Sequence, residues 1–197
     1  METDQGKSAT RFARSVVEVE ASGRILEERP DGPVFSEPRG VFVTLNRHPG
    51  VELRGCIGYP YPVMPLAKAI EESARSACHD PRFPDLSPDE LSGIVVEVTV
   101  LTAPEVIRSS GPADLLESIR VGRDGLMLDL MGYRGLLLPQ VPVELGWDAR
   151  EFLEALSMKA GLPRRAWEDP RATVSRFEGE VFSETEPYGE VVRRSIA

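Results

Sequence analysis

The chain has 197 residues, of which 41% are hydrophobic and 28% charged, a composition typical of a globular protein with a buried core. Its 23 Lys and Arg against 32 Asp and Glu give a formal net charge of −9. This balance, with no run of Lys or Arg longer than two residues, argues against a nucleic-acid partner, because phosphate binding needs clustered cations.

No apolar run approaches the roughly 20 residues of a membrane-spanning helix, and the first residues do not resemble a signal peptide. The two cysteines, Cys56 and Cys78, are too few for a disulfide scaffold. We therefore expect a cytoplasmic protein with free thiols, outside the membrane.

The amino-terminal half predicts helices that alternate with extended segments. Apolar residues at helical spacing predict a helix that Gly23 ends, and Pro65 is suited to the first turn of another. In chain order we predict a helix over 9–20, a loop over 27–39, a hairpin of strands 40–45 and 51–58, a helix over 66–77, a loop over 80–86, a short helix over 87–91 and a strand over 94–101.

The carboxyl-terminal half predicts a second hairpin and a capped helix. Asp148 and Glu151 form a capping-box pattern, and Gly161 closes the helix that follows. The predicted elements are a short helix over 113–118, strands over 126–130 and 135–138, an irregular segment over 139–144, a helix over 148–161, one strand over 173–183 and a polar tail. Strands arrive mainly as hairpins, which favours an α+β fold with a mainly antiparallel sheet flanked by helices.

The most informative segment is Leu53-Arg-Gly-Cys-Ile-Gly58. Alternation along a strand would put Arg54 and Cys56 on one face, where the arginine would favour the thiolate. Gly55 and Gly58 would let a ligand or another chain segment approach the backbone closely. The alternative interpretation is a small buried cysteine in a strand whose packing demands glycine.

Two further segments contain candidate ligand-binding groups. Asp80-Pro-Arg-Phe-Pro84 is stiffened by two prolines, so Arg82 could bind a carboxylate or phosphate, or could instead pair with Asp80 in a structural salt bridge. The segment Leu136–Trp147 contains Gln140 and Glu144, an amide and a carboxylate of the kind that orient a polar ligand.

These segments together resemble the AMMECR-one domain family, in particular the prokaryotic members named protein A of the AmmeMemoRadiSam system. The matching segments keep the family's order from about residue 40 to residue 182: Gly40–Thr44, the signature hexapeptide Leu53–Gly58, Asp80–Pro84, Glu97–Thr102, Leu137–Gln140 and Gly146–Gly161.

The resemblance implies a single domain over 1–197 with a larger lobe from both chain ends, a smaller lobe from the middle of the chain and a cleft between them. It supplies no reaction, since the family is described as of unknown function. Its prokaryotic genes lie beside a Memo-like protein and a radical S-adenosylmethionine enzyme, which implies these two as partners. A cofactor is not implied.

Three functional interpretations stay open. In the first, Cys56 and Arg54 are catalytic, and Gly55, Gly58, Asp80, Arg82, Gln140 and Glu144 bind a small anionic substrate, with His79, Glu97 or Glu144 as the base. The second makes the same surface a docking site for a partner, with a structural cysteine. In the third, the chain is itself the substrate of a radical enzyme. The four His and Cys residues lack metal-ligand spacing, so we predict no metal site.

Overall fold

A computed structural model gives the fold of residues 1–23 and 29–194, and only these residues are described below. The helices are α1 (Thr3–Ser22), α2 (Pro33–Ser36), α3 (Leu66–Cys78), α4 (Pro112–Ser118), α5 (Gln140–Leu145) and α6 (Ala149–Lys159), with 3-10 turns over Pro88–Gly93 and Ala166–Glu168. The strands are β1 (Val41–Arg47), β2 (Glu52–Tyr59), β3 (Ile94–Leu101), β4 (Glu105–Val106), β5 (Gly125–Leu130), β6 (Tyr133–Leu137), β7 (Thr173–Phe177), β8 (Gly179–Glu184) and β9 (Val191–Arg194). The predicted α+β class with mainly antiparallel sheets is confirmed.

The first of two compact units contains the described residues of 1–101 together with residues 180–194. Its sheet has the order β2-β1-β3-β8-β9. Helices α1 and α3 pack together and against β1, β2 and β3. The buried residues of β3 follow the alternation seen in the sequence, with Val96, Val98 and Val100 inside, so the core lies between this sheet face and the two helices.

A buried ion pair joins the two ends of the chain within this unit. Arg14 of α1 donates from Nε to Glu184 Oε1 at 2.9 Å, and Glu184 Oε2 also accepts the Val96 amide at 2.8 Å. The Met1 amino group binds both carboxylate oxygens of Glu180 at 2.6 and 2.7 Å. Both ends of the chain are therefore fixed to the same sheet.

The second unit contains Thr102–Gly179. Its sheet has the order β4-β7-β5-β6. Strand β4 pairs with β7, β7 with β5, and β5 with β6 in the predicted hairpin, and all three pairings are antiparallel. Helix α6 begins at the predicted capping box, where Asp148 accepts the Glu151 amide at 2.8 Å. The helix packs Phe152, Leu153 and Leu156 against this sheet to form a separate core.

Several predicted boundaries are wrong. Helix α1 begins at Thr3, the first hairpin strand extends to Arg47, and the predicted loop over 27–39 includes the helical turn α2, while its residues 27 and 28 lie outside the described residues. The strand predicted over 173–183 is two strands, β7 and β8, which belong to different units. The polar tail contains β9, and Glu105–Val106 forms β4, both of which are too short for a clear alternation in sequence.

The segment predicted to be irregular, 139–144, is the helix α5. Pro142 is compatible with a helix at this position, because the amides of the first turn have no partner inside the helix. Gly146 ends the helix with a left-handed φ of 66°. The prolines of this segment therefore do not exclude a helix, contrary to the prediction of an irregular structure.

Candidate functional site

A β-bulge places Arg54 outside the regular pairing of β1 with β2. Gly55 and Leu53 pair with consecutive residues of β1, so Arg54 between them has no cross-strand partner. The bulge interrupts the alternation of side chains on which our prediction for Arg54 and Cys56 depended. The prediction that these two residues share a face and an electrostatic contact is wrong, because each of the two side chains contacts a different part of the unit.

The buried Arg54 forms an ion pair with the partly exposed Glu90. Its side chain is 2% exposed, and its Nε and Nη2 donate to the two Glu90 carboxylate oxygens at 2.8 and 3.0 Å. Nη2 also donates to the Pro84 carbonyl at 3.0 Å. The hydrogen bonds from Arg54 lower the pKa of Glu90 to about 2, and those to Glu90 raise the pKa of Arg54. The charge of Arg54 is therefore balanced by that of Glu90 within the protein.

Glu90 is a partner of Arg54 that the sequence did not indicate. The 3-10 turn that begins here has a capping box, in which the Ser87 amide donates to Glu90 Oε2 at 3.1 Å. The same carboxylate pairs with Arg54, 36 positions away. An unpaired arginine within a strand was the available signal that a distant carboxylate was required.

Asp80 and Arg82, which we call the edge pair, close the free edge of β2 at Cys56. Asp80 Oδ2 accepts the Cys56 amide at 2.9 Å, and Arg82 Nη2 donates to the Cys56 carbonyl at 3.3 Å. Two side-chain bonds join the pair: Arg82 Nε to Asp80 Oδ1 at 3.0 Å and Nη2 to Oδ2 at 2.6 Å. Because β2 is the outermost strand of its sheet, these side chains bind the backbone groups that a further strand would have paired.

Hydrogen bonds to Asp80 determine the electrostatics of the edge pair. Asp80 is buried, whereas the Arg82 side chain is 55% exposed. The hydrogen bonds from Arg82 first, and then those from the amides of Cys56 and Arg82, hold the pKa of Asp80 far below its usual range. Phe83 lies beside both cations, with the guanidinium carbons of Arg82 and Arg54 at 5.7 and 5.8 Å from its ring centroid. The structural salt bridge that the sequence left open is therefore present.

The two glycines of the hexapeptide allow close packing of chain segments. A side chain on Gly55 would place its Cβ 2.3 Å from the Ala77 carbonyl of α3. One on Gly58 would meet the Val41 carbonyl at 2.3 Å and the ring of Phe42 at 2.5 Å. Of the two alternatives stated above, the structure shows the approach of another chain segment.

Cys56 belongs to a row of polar side chains on the sheet face opposite the α1–α3 core. Thr44 of β1 pairs with Cys56 on one side and with Glu97 of β3 on the other. Residues paired in this way point to the same face. The Thr44 hydroxyl lies 3.3 Å from Cys56 Sγ and donates to it. We call Cys56, Thr44 and Glu97 the polar row.

The polar row combines a partly accessible thiol with a perturbed carboxyl group. Cys56 is half-buried, and both cysteines are free. Burial raises the pKa of Glu97, which the charge of Arg194 and the hydroxyl of Ser183 offset in part. A carboxyl group of this kind can accept and return a proton closer to neutral pH than an exposed one. Sequence alternation placed Glu97 on this face, but only the strand register aligns it with Cys56.

The other candidate thiol and base have different surroundings. Cys78 is buried and donates to the Ala74 carbonyl at 3.3 Å, and burial raises its pKa to about 12. His79 lies between Asp85 and Glu20, at 2.9 and 3.0 Å, and these hydrogen bonds raise its pKa. Neither side chain contacts the polar row in the described structure, so they are not suited to act on Cys56.

Gln140 and Glu144 lie in the second unit, on α5, whereas Arg54, Cys56 and the edge pair belong to the first. Glu144 is exposed, and Gln140 Oε1 is buried without a hydrogen-bond partner among the described residues. Across residues 1–23 and 29–194 there is no group of three or more His, Cys, Asp or Glu that could hold a metal ion. In the same residues, no helix is long and apolar enough to span a bilayer.

The family model AMMECR1 matches residues 10–182 of this sequence, a range that contains the bulge, the edge pair and the polar row. The chain belongs to the AMMECR1 family. The resemblance carried by the hexapeptide and the Asp80–Pro84 segment is thereby confirmed.

Two archaeal relatives and one solved archaeal structure match nearly the whole length of this AMMECR1 chain. Protein MJ0810 of Methanocaldococcus jannaschii is 49% identical over 98% of the chain and 96% of its own length. Protein MK0488 of Methanopyrus kandleri is 45% identical over 98% of the chain and 95% of its own length. The crystal structure of the uncharacterised protein PH0010 from Pyrococcus horikoshii is 42% identical, has a TM-score of 0.81 and is covered over 98% of its chain. None of these names states an activity.

Proposed function

We propose that this AMMECR1 protein is an enzyme in which Cys56 is the nucleophile and Glu97 accepts the thiol proton. The observation that supports this proposal is the polar row: a half-buried thiol, bonded by the Thr44 hydroxyl at 3.3 Å, in register with a carboxyl group whose pKa burial raises. A base whose pKa approaches the working pH is effective in proton transfer. Of the three candidate bases named from the sequence, His79, Glu97 and Glu144, the proposal assigns the role to Glu97.

Cys56 and Glu97 are too far apart for a direct proton transfer between their side chains. Two strand spacings, about 10 Å, separate the backbones of Cys56 and Glu97, so the proton passes through the Thr44 hydroxyl or a bridging water. The thiolate sulfur then forms a bond to the acyl carbon of a small substrate, and the leaving group departs with the proton from Glu97. Water hydrolyses the resulting thioester, which releases a carboxylic acid and restores the thiol.

Arg82 is the cation best placed to bind an anionic group on such a substrate. It contacts the Cys56 carbonyl and its side chain is 55% exposed, whereas Arg54 is buried and paired with Glu90. Asp80 fixes the position of Arg82 through two hydrogen bonds. In this proposal Arg54 does not contact the substrate and acts only as a positioning residue. The roles of Gln140 and Glu144 in substrate binding stay predictions.

The test measures the chemistry of Cys56 with and without the proposed base. We expect Glu97→Gln to slow alkylation of Cys56 by iodoacetamide at pH 7 about tenfold, and Thr44→Val to slow it several-fold. Glu52, an exposed carboxylate on β2, provides the control, and Glu52→Gln should leave the rate unchanged.

Turnover is measured with a panel of p-nitrophenyl esters of small dicarboxylic acids. We expect hydrolysis that Cys56→Ser abolishes, that Glu97→Gln slows with a change in its pH profile, and that passes through an acyl adduct on Cys56 visible by intact mass. An alkylation rate that is the same in the Glu97→Gln and Glu52→Gln variants, together with ester hydrolysis that survives Cys56→Ser, would contradict the proposal.

A second candidate function, docking of a partner, is favoured by apolar side chains at the tip of the β1–β2 hairpin. Val51 is 82% exposed and Leu53 is also exposed, next to the bulge. The partners to test are the Memo-like protein and the radical S-adenosylmethionine enzyme, in the cytoplasm, where the two thiols would stay reduced. Docking predicts that Val51→Asp weakens co-purification while Cys56→Ser does not.

The third interpretation, modification of this chain by the radical enzyme, is tested by intact mass of protein from its native host. An added mass on the hexapeptide would favour it over both other functions. Equal masses of native and recombinant protein would remove it.

A further inference from the structure

The second unit contains a cavity of about 630 Å³ that takes no part in the function proposed above. It lies where the chain leaves β4 and enters α4, against the 3-10 turn at Trp167 and strand β7. The Ile107 amide donates to the Val174 carbonyl at 2.9 Å, which extends the β4–β7 pairing and fixes one wall to the sheet. This volume is within the range of about 300–1,000 Å³ typical of small-molecule sites.

The wall nearest the core is apolar. Leu115 of α4 and Val174 of β7 line the cavity and are buried members of the core of the second unit. Ile107 and Ala172 line it as well and pack partly against the same core. A ligand with an apolar body would therefore replace water against this surface.

Trp167 and Arg108 line the cavity with hydrogen-bond donors that have no partner among the described residues. Trp167 lines it and is 3% exposed, and its indole nitrogen is buried without a hydrogen bond in the described structure. An indole N–H can only donate, and buried donors are nearly always paired. Arg108 also lines the cavity, is exposed, and makes no hydrogen bond or ion pair with any residue of 1–23 or 29–194.

The carboxylates at the rim do not oppose a negatively charged ligand. Glu168 binds Arg165 through both oxygens, the shortest distance being 2.6 Å, and Asp169 binds Arg171 at 2.8 and 3.0 Å. These two carboxylates are thus each paired with an arginine, and the charge left without a partner is that of Arg108. The local charge is positive although the whole chain has a net charge of −9.

We propose that this cavity is a binding site for a small monocarboxylic acid with an apolar body. The carboxylate accepts from the Trp167 indole N–H and pairs with Arg108, and the apolar body lies against Leu115 and Val174. Binding supplies the acceptor that Trp167 lacks. No residue of this site belongs to the polar row or the edge pair.

The experiment measures the NMR signal of the Trp167 indole N–H while a carboxylate is added. The chain has two tryptophans, so a ¹H–¹⁵N spectrum shows two indole signals, and Trp147→Phe assigns the one from Trp167. The probes are octanoate, cyclohexanecarboxylate and benzoate, with octanamide as the uncharged counterpart of octanoate. We expect at least one carboxylate to move the Trp167 signal in a saturable manner, and octanamide to bind at least tenfold more weakly than octanoate if octanoate is the binder.

Variants separate a specific site from surface adsorption. We expect Arg108→Ala to weaken carboxylate binding about tenfold, and Trp167→Phe to weaken it as well when binding is measured by calorimetry. Arg11→Ala removes an exposed arginine of the first unit that forms no ion pair with any described residue, and it should have no effect. A Trp167 signal unmoved by all three carboxylates, or a shift that is equal in the Arg108→Ala and Arg11→Ala variants, would overturn the proposal.

Discussion

At the scale of single residues, each arginine of the two family segments is bound by a carboxylate. Arg54 is buried and pairs with the partly exposed Glu90, whereas Arg82 is half-exposed and pairs with the buried Asp80. The difference in burial separates their roles, because a buried charge without its partner is costly, whereas an exposed one is solvated. The sequence identified both arginines, but it could not identify Glu90 as a partner, since that contact depends on how the loop after α3 folds back.

The Arg54–Glu90 pair should make stability depend on pH in the acid range. The Glu90 pKa is lowered from 4.5 to about 2 in the folded protein. Its contribution to the free energy of unfolding is therefore complete above about pH 4.5 and is lost as the pH falls toward 2. We expect Glu90→Gln to lower the free energy of unfolding by about 2–3 kcal/mol at pH 7, because Arg54 stays charged and buried.

The measurement is urea unfolding from pH 7 to pH 3. The difference between the wild type and Glu90→Gln should shrink as the pH falls, while Glu52→Gln, which alters an exposed carboxylate, should follow the wild type throughout. A difference that is constant with pH would show that the Glu90 charge does not stabilise the fold.

At the scale of elements, the site depends on the contact between α3 and β2. The helix ends at Cys78, two residues before Asp80, so the position of the helix fixes the edge pair relative to Cys56. Gly55 lets the backbone of α3 approach β2, which brings Asp80 within reach of the Cys56 amide. The sequence predicted the helix, the hairpin and the stiff loop between prolines, and these local features follow from spacing and turn chemistry. It could not predict the bulge at Arg54, which changes the register of β2 against β1 between Gly55 and Leu53.

Gly55→Ala tests this contact. A Cβ at Gly55 would lie 2.3 Å from the Ala77 carbonyl, so helix and strand must separate. We expect a loss of about 1–3 kcal/mol in the free energy of unfolding and faster hydrogen exchange at the Cys56 amide, because Asp80 moves with the helix. Gly93→Ala is the control, since a Cβ there meets no atom within 4 Å. Equal stability of the two variants would contradict the close contact.

At the scale of the whole molecule, the net charge of −9 opposes anionic reagents while the edge pair is locally neutral. Iodoacetate and iodoacetamide alkylate thiols alike but differ in charge. We expect Cys56 to react more slowly with iodoacetate than with iodoacetamide at low salt, and the ratio to approach that of a small free thiol as ionic strength rises toward 0.5 M or so, where screening lengths are only about 4 Å.

Peptide mass analysis should find the label on Cys56 and not on Cys78, which is buried. Arg82→Ala should lower the iodoacetate rate further without changing the iodoacetamide rate. A ratio that does not vary with salt would mean that the groups next to Cys56, and not the overall field, control the access of anions.

The fixing of both chain ends to one sheet has a consequence for synthesis on the ribosome. Residues 102–179, which make up the second unit, leave the ribosome before Glu180, whereas the sheet of the first unit needs β8 and β9 to be complete. While residues 102–179 are synthesised, the sheet of the first unit therefore contains β1, β2 and β3 but still lacks β8 and β9. During that interval β3 has an open edge, so the nascent protein is exposed to wrong strand pairing for longer than its length alone would require.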